Sequence, residues 1–309
     1  MRPYLLMLGG AFSFAVMGAL THAVKDDCDW QLIALSRSLI AATIAGLLVI
    51  WERSSFVVFR PPTLWIRSLA GSASVLFNFY ALTRLPIADA LTLTNMFPVW
   101  IAVLSWPVLG KFPEKDVWLG IGCGIVGVFV MQQPYLAEGN LGTLAAVSGS
   151  VTSAIALMGL HRLRHITPNA VVVHFSTVSV LTILLLLCYQ PAAHSLSEQL
   201  RMPAGAWIRL ICVGLAATTG QMLLTRAFAA GAPARLSVVG LSQVAFAMIF
   251  DVVLWHRGFN RHSLIGMFLI MVPTAWLMLR KAKAATTEVD LAETTPTQGD
   301  KDVKGETNL

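Results

Sequence analysis

A handful of polar residues stand inside long apolar stretches of this chain, and their types limit the chemistry open to them. Arg37 lies in the stretch Ala34–Leu39, between two serines. A charge at the depth of a lipid bilayer costs about 2.5–3.5 kcal/mol on insertion scales, so such residues are retained for a reason. The planar fork of an arginine holds two oxygens of a carboxylate or phosphate at once. The same residue can also snorkel to an interface or pair with Asp89 or Asp251. Asp251, near the end of another apolar stretch, is a candidate proton carrier if burial raises its pKa, or a partner of Arg257. His174, in Val171–Phe175, titrates near neutral pH and is a second proton candidate, or a structural histidine near a helix end. Asp89 opens an apolar stretch, where an acid complements the positive end of a helix dipole. Asn78, Asn95, Gln221 and Gln243 sit near the middle of four stretches. Side-chain amides both donate and accept, so they suit a bound molecule of mixed polarity. They equally suit interhelical hydrogen bonds worth about 0.6–2 kcal/mol. Trp100 lies deeper than the other tryptophans and is a candidate cavity wall.

The elements that position these residues follow from composition. The 309 residues are 56% hydrophobic and only 12% charged, with a mean hydropathy of +0.70. Soluble domains carry about 25% charged residues, so the chain lacks the polar surface to cover a soluble globule. A membrane-spanning helix needs roughly 20 mostly apolar residues. Segments of that kind fall at 4–22, 32–51, 64–82, 86–110, 117–133, 141–160, 169–189, 207–225, 233–255 and 263–280. The expected fold is an all-α integral membrane protein of about ten transmembrane helices. The runs are too long and unbroken for barrel strands. Pro98 should kink the fourth helix, and the Gly120–Gly124 spacing should let helices approach closely. The formal charge of +6 sits in short loops and is not interleaved with aromatics, so no nucleic-acid partner is expected. No phosphate loop, zinc motif or nucleotide fingerprint occurs, so no catalytic site, metal or cofactor is expected. The serines between Gly71 and Ser74 suit helix packing better than an intramembrane protease. Cys28, Cys123, Cys188 and Cys212 lack metal-type spacing and read as isolated small residues. From Ala282 to Leu309 the chain turns polar and charged, as a disordered tail would.

The apolar region is written twice. Trp65-Ile66-Arg67 returns as Trp207-Ile208-Arg209, and Leu82-Thr83-Arg84 as Leu224-Thr225-Arg226, both 142 residues later. Pro86 to Asp89 corresponds to Pro233 and Arg235 at an offset near 146, and Gly120 to Gly266. The expected organisation is a first five-helix repeat at 1–136, a second at 137–281 and a cytoplasmic tail at 282–309. An odd number of helices per repeat makes the second copy enter the membrane from the opposite face, an inverted-topology repeat. Basic residues favour one side: Arg2, Arg53, Arg60, Arg67, Lys111, Lys115, Arg162, Arg164, Arg226, Arg235, Arg280, Lys281 and Lys283 against Lys25, Arg84, Arg201, Arg209, Arg257 and Arg261. The positive-inside rule then places both termini in the cytoplasm.

The third-to-fourth helix junction, Tyr80-Ala81-Leu82 followed by Leu85-Pro86-Ile87-Ala88-Asp89-Ala90, resembles that of the EamA-type branch of the drug/metabolite transporter superfamily. Phe97-Pro98-Val99-Trp100, Leu109-Gly110, Gly220-Gln221, Ser242-Gln243-Val244-Ala245-Phe246 and Leu264-Ile265-Gly266 are similar to further stretches of that family. The resemblance covers roughly residues 4–280. It implies ten helices in two inverted five-helix repeats, in a bacterial-type inner membrane. It also implies a secondary transporter moving a small organic metabolite, anionic or amino-acid-like, by alternating access, with export favoured. The substrate-binding candidates are then Arg37, Asn78, Asn95, Trp100, Gln221 and Gln243, and the proton-coupling candidates Asp251 and His174. The expected partners are a small-molecule solute and the lipid bilayer, and the fifth and tenth helices are candidates for a homodimer contact. Two other roles for the scaffold stay open: a lipid or amphiphile translocase, and a membrane sensor that does not transport. The sequence departs from the family at Glu114, several residues after the usual Gly-Glu pair, and at Trp255-His256-Arg257, which has no acid.

Overall fold

The structure, a computed structural model, describes residues 2–24, 27–84, 93–110, 112–132, 141–189, 202–255, 261–262 and 264–276. Asp89, Arg257 and the tail at 282–309 lie outside the described residues, as does the side chain of Asp251. Among the described residues there is no strand. The helices are α1 (Arg2–Val24), α2 (Trp30–Trp51), α3 (Pro62–Arg84), α4 (Phe97–Leu109), α5 (Lys115–Gln132), α6 (Leu141–Arg162), α7 (Pro168–Tyr189), α8 (Ala204–Ala230), α9 (Pro233–Gly240), α10 (Ser242–Trp255) and α11 (Leu264–Trp276).

Six spans are long and apolar enough to cross a membrane: α1, α2, α6, α7, α8, and Pro233–Leu254, which runs through α9 and α10. The shorter helices α4 and α11 are also apolar. Helix α3 is as long as these but carries Arg67, Ser68, Ser72, Ser74 and Asn78. Prolines stand at the first residues of α3, α7 and α9, where the missing N–H costs nothing because no intrahelical acceptor exists there. Gly110 ends α4 in the left-handed region at φ 66°, and its N–H returns to Ser105 and Trp106 carbonyls.

The fourth and ninth segments are not the continuous helices expected. Leu93 and Thr94 are helical, Asn95 and Met96 form a turn, and α4 starts at Phe97. Pro98 therefore stands in the first turn of α4, where it kinks nothing, and the interior proline is Pro107. In the second half the helix breaks at Leu241. There Leu241 N–H bonds the Val238 carbonyl and Val244 N–H bonds Leu241, both at the tighter i to i−3 spacing. The hydroxyls of Ser237 and Ser242 bond the carbonyls of Ala234 and Val239. Such back-bonding competes with the helix ladder and weakens it. Gly240 lets Met7 of α1 in, since a β-carbon there would lie 2.7 Å from the Met7 methyl.

The chain's two halves interlock. Helix α3 packs mainly on α6, and α1 on α8; α2 packs on α7; α2 touches α8 as α3 touches α7; α1 meets α9 and α10 as α6 meets α4. The close approaches use small residues. A β-carbon on Gly127 of α5 would lie 2.8 Å from the Gly266 carbonyl of α11, and one on Gly10 would lie 3.3 Å from the Gly220 carbonyl. Gly124, half of the expected glycine pair, meets Leu241 at the helix break, whereas the α5–α11 crossing is made by Gly127. Phe228, Ile101, Met158, Leu160, Leu163 and Leu236 belong to the largest buried core, at the end where α6 meets α7.

Candidate functional site

Two of the candidate residues converge on one stretch of α6. Trp100 of α4 donates its indole N–H to Ser150 Oγ at 2.9 Å. Ser74 of α3 shares a 2.6 Å hydrogen bond with Ser153, and Asn78 Nδ2 donates to Ser74 Oγ at 3.5 Å. Asn78 Oδ1 is buried with no hydrogen-bond donor among the described residues. It occupies the space where Gly149 of α6 lacks a side chain. Asn78 and Trp100 thus flank Gly149–Ser153, and the Asn78 carbonyl keeps acceptor capacity unused.

Gln221, buried in α8, donates from Nε2 to Thr225 Oγ1 at 3.4 Å. Its neighbour Gly220 makes room for Phe14 of α1. Asn95 sits in the turn before α4, and Gln243 lies two residues beyond the break at Leu241; both are half-buried. The offset of the repeat links these breaks, because Leu241 lies 146 residues after Asn95.

Arg37 is half-buried in α2. The ion pairs Arg209–Asp27 and Arg235–Glu114 do not involve it. Helices α1–α4 and α6–α9 contain no Asp or Glu at all. Among the described residues the interior of the bundle is therefore short of negative charge.

His174 has both ring nitrogens engaged. Nε2 lies 3.1 Å from the Val58 carbonyl and Nδ1 2.8 Å from Ser68 Oγ. A carbonyl only accepts, so Nε2 carries the proton, and in the neutral ring Nδ1 accepts from the Ser68 hydroxyl. Trp65 packs edge-on against the ring at 4.7 Å. The histidine clamps α7 to α3 and to the α2–α3 connection. Ser68 is wholly buried, so this serine–histidine pair offers no surface to a peptide.

Sequence reasoning missed Arg67. Expected among the basic residues that mark one membrane face, it is 3% exposed inside α3. Its guanidinium carbon stands 4.0 Å from the Phe175 ring centroid. Its repeat counterpart Arg209 is partly exposed, pairs with Asp27 at 3.1 Å and also donates to the Ala23 carbonyl. The available signal was Gly71, one turn along α3, which keeps clear the space that Arg67 and Phe175 fill.

The end of the bundle that holds Arg67 is tied by polar contacts. Asn169 donates to Glu52 at 2.9 Å, Arg162 donates to the Val108 carbonyl, and Arg235 pairs with Glu114. Glu114, late for the usual motif, still reaches a partner in the other half. Toward the opposite end, Val16, Ala19, Leu20 and Ala23 of α1 face Phe250 and Leu254 of α10 around a cavity of about 320 Å³.

The model of the EamA-like transporter family matches residues 1–132 and again residues 140–279. The chain belongs to the EamA-like transporter family. It is a multi-pass membrane transporter. This EamA-like transporter is 25% identical over 276 residues to the pseudopaline exporter of Pseudomonas aeruginosa, covering 87% of this chain and 93% of that one. It is 21% identical over 289 residues to mouse (Mus musculus) solute carrier family 35 member G1, covering 88% of this chain and 76% of the other. A known crystal structure superposes with a TM-score of 0.78 at 17% identity, over 90% of this chain and 97% of its own, which speaks for the shared fold.

Proposed function

We propose that this EamA-like transporter is a secondary carrier that exports a small organic metabolite, anionic or amino-acid-like, by alternating access. Its ten spans form two inverted five-helix repeats, 1–136 and 137–281, with both termini and the tail at 282–309 in the cytoplasm. The observation that carries this reading is the way the halves pair. Exchanging the first, second, third and fourth segments of one half for those of the other maps α3–α6 onto α8–α1 and leaves α2–α7 on itself. Halves related in this way can rock about one central site. Two family-model matches, one per half, support the same division.

In this reading the solute lies between the halves. Asn78 and Trp100 are contributed from the α6 side, Gln221 from α8, and Asn95 and Gln243 from the breaks in the fourth and ninth segments. Broken helices at the membrane midplane place backbone groups and helix ends next to a solute. Arg37 meets the solute's carboxylate or phosphate, which an interior without acids on most helices cannot replace. Asp251 is the proton-coupling candidate we retain in first place. His174, held by Val58 and Ser68, acts through position, and a proton role for it would require that clamp to open.

A metabolite screen by thermal stabilisation of the purified protein identifies the solute, because a ligand that binds the folded state raises its melting temperature. Flux of that solute in proteoliposomes then tests the reading. Arg37→Ala should lower flux at least tenfold while the protein still inserts; unchanged flux would remove Arg37 from the site. The apolar cavity between α1 and α10 favours a second reading, an amphiphile translocase with a lateral opening. Lipid scrambling without solute flux would select it.

A further inference from the structure

The carrier reading gives no role to the most thoroughly buried cation described. Arg67 lies five residues into α3, about 7.5 Å along the helix from its start. Its Nε and Nη1 are buried and find no acceptor among the described residues. The three helices around it, α3, α6 and α7, contain no carboxylate. Phe175 covers one face of the guanidinium, and its ring offers only the weak attraction of a π cloud for a full charge. Yet room has been kept for this side chain twice. A β-carbon on Gly159 would lie 3.0 Å from Arg67 Cβ, and one on Gly71 would lie 3.0 Å from Arg67 Nη1 and 2.8 Å from the Phe175 ring.

A buried charge with unused donors is a standing cost, and replacing it by an apolar side chain of similar length is often neutral or stabilising. An arginine held under those conditions has two donors that a bound oxyanion would satisfy. We infer that Arg67 is an oxyanion-binding station, distinct from the Arg37 site, that takes a carboxylate or phosphate group when the Phe175 side chain swings off its guanidinium while His174 keeps α7 on α3. Phe175 covers the guanidinium while the station is empty, and the donors Nε and Nη1 are presented to the anion when the ring withdraws. Ser68, one residue on, is turned away to His174 and fixes the backbone at that point. The counterpart Arg209 has no such role, because Asp27 and the Ala23 carbonyl already hold it. The inference rests on the carrier reading only for the reason the site opens; binding is measured without transport, so each can fail alone.

The test is the melting temperature of the full-length protein in neutral detergent. Sodium phosphate or sodium succinate is raised from 0 to 10 mM at constant ionic strength. A separate arm compares mixed micelles of phosphatidylglycerol and of phosphatidylcholine. Wild type should gain about 3 °C, saturably. Arg67→Met should melt no lower than wild type without anion and should show no gain. Arg209→Gln should keep the gain. Should Arg67→Met fail to fold, Arg67→Lys decides. It keeps the charge but loses the fork, so half-saturation should move up about tenfold. A response to phosphate or succinate identifies a soluble oxyanion as the source, and a response to phosphatidylglycerol alone identifies a lipid headgroup. No gain with any probe, an equal gain in Arg67→Met, or unchanged half-saturation in Arg67→Lys would overturn the assignment.

Discussion

Arg67 and Arg209 occupy the same place in the two copies and meet opposite fates. Both follow a Trp-Ile pair at the start of a helix, so sequence alone reads them as matching interface cations. The burial of Arg67 depends on Phe175 and Gly159, which arrive from two other helices and leave no local mark beside it. Asn78 and Trp100 were recognisable as buried polar groups from their position in apolar runs. Their convergence on Gly149–Ser153 of α6 was not, because sequence gives no distance between helices. Cys28 carries a prediction at this scale. It lies between α1 and α2, where burial, and after it Asp27 and Asp29, pushes its thiol up to about 11. The raised value keeps the thiol protonated at neutral pH, so reactivity appears only as pH climbs. In a protein retaining only Cys28, alkylation at pH 7.5 should run about 100-fold slower than at a thiol titrating near its ordinary value. The rate should rise about tenfold per pH unit to pH 10; a plateau reached by pH 9 would contradict the assigned environment.

Among the elements, the apolar runs were legible because spanning length is a one-dimensional property, and the structure places helices close to the expected segments. The interruptions at Asn95–Met96 and Leu241 were not, since both lie inside uninterrupted hydrophobic stretches. Serine back-bonding and a single glycine shift a helix by fractions of a kcal/mol, too little to read without the packing that exploits them. Glycines in α5 separate two kinds of position. Gly127 faces the Gly266 backbone, which cannot yield without moving α11, whereas Gly122 has open space around it. Gly127→Ala should therefore cost about 1–3 kcal/mol and lower the melting temperature. Gly122→Ala should be neutral or stabilising, since alanine is the better helix former. Equal melting temperatures for the two variants would show that α5 and α11 do not touch as described.

For the whole molecule, the central claim is that two oppositely inserted halves enclose the transport path. The duplication was readable as a near-constant offset of short matches, but the pairing of first with third segments across the halves is a property of packing alone. That pairing leaves one end of the bundle tied by Glu52–Asn169, His174–Val58 and Arg235–Glu114, with an apolar cavity toward the other. It predicts that loosening the tied end favours the opposite state. Glu114→Gln, which removes the charge from Arg235's partner, should raise access of a membrane-permeant thiol probe to a cysteine placed at Phe228, and unchanged access would remove this pair from the gate. Inversion itself is measured most directly by labelling equivalent positions of the two copies. Pro62 and Ala204 are exposed first residues of α3 and α8, 142 residues apart. In intact cells carrying a cysteine-free background, an impermeant maleimide applied outside should label Ala204→Cys and leave Pro62→Cys unlabelled until the membrane is opened. Labelling of both from the same side would contradict two inverted halves.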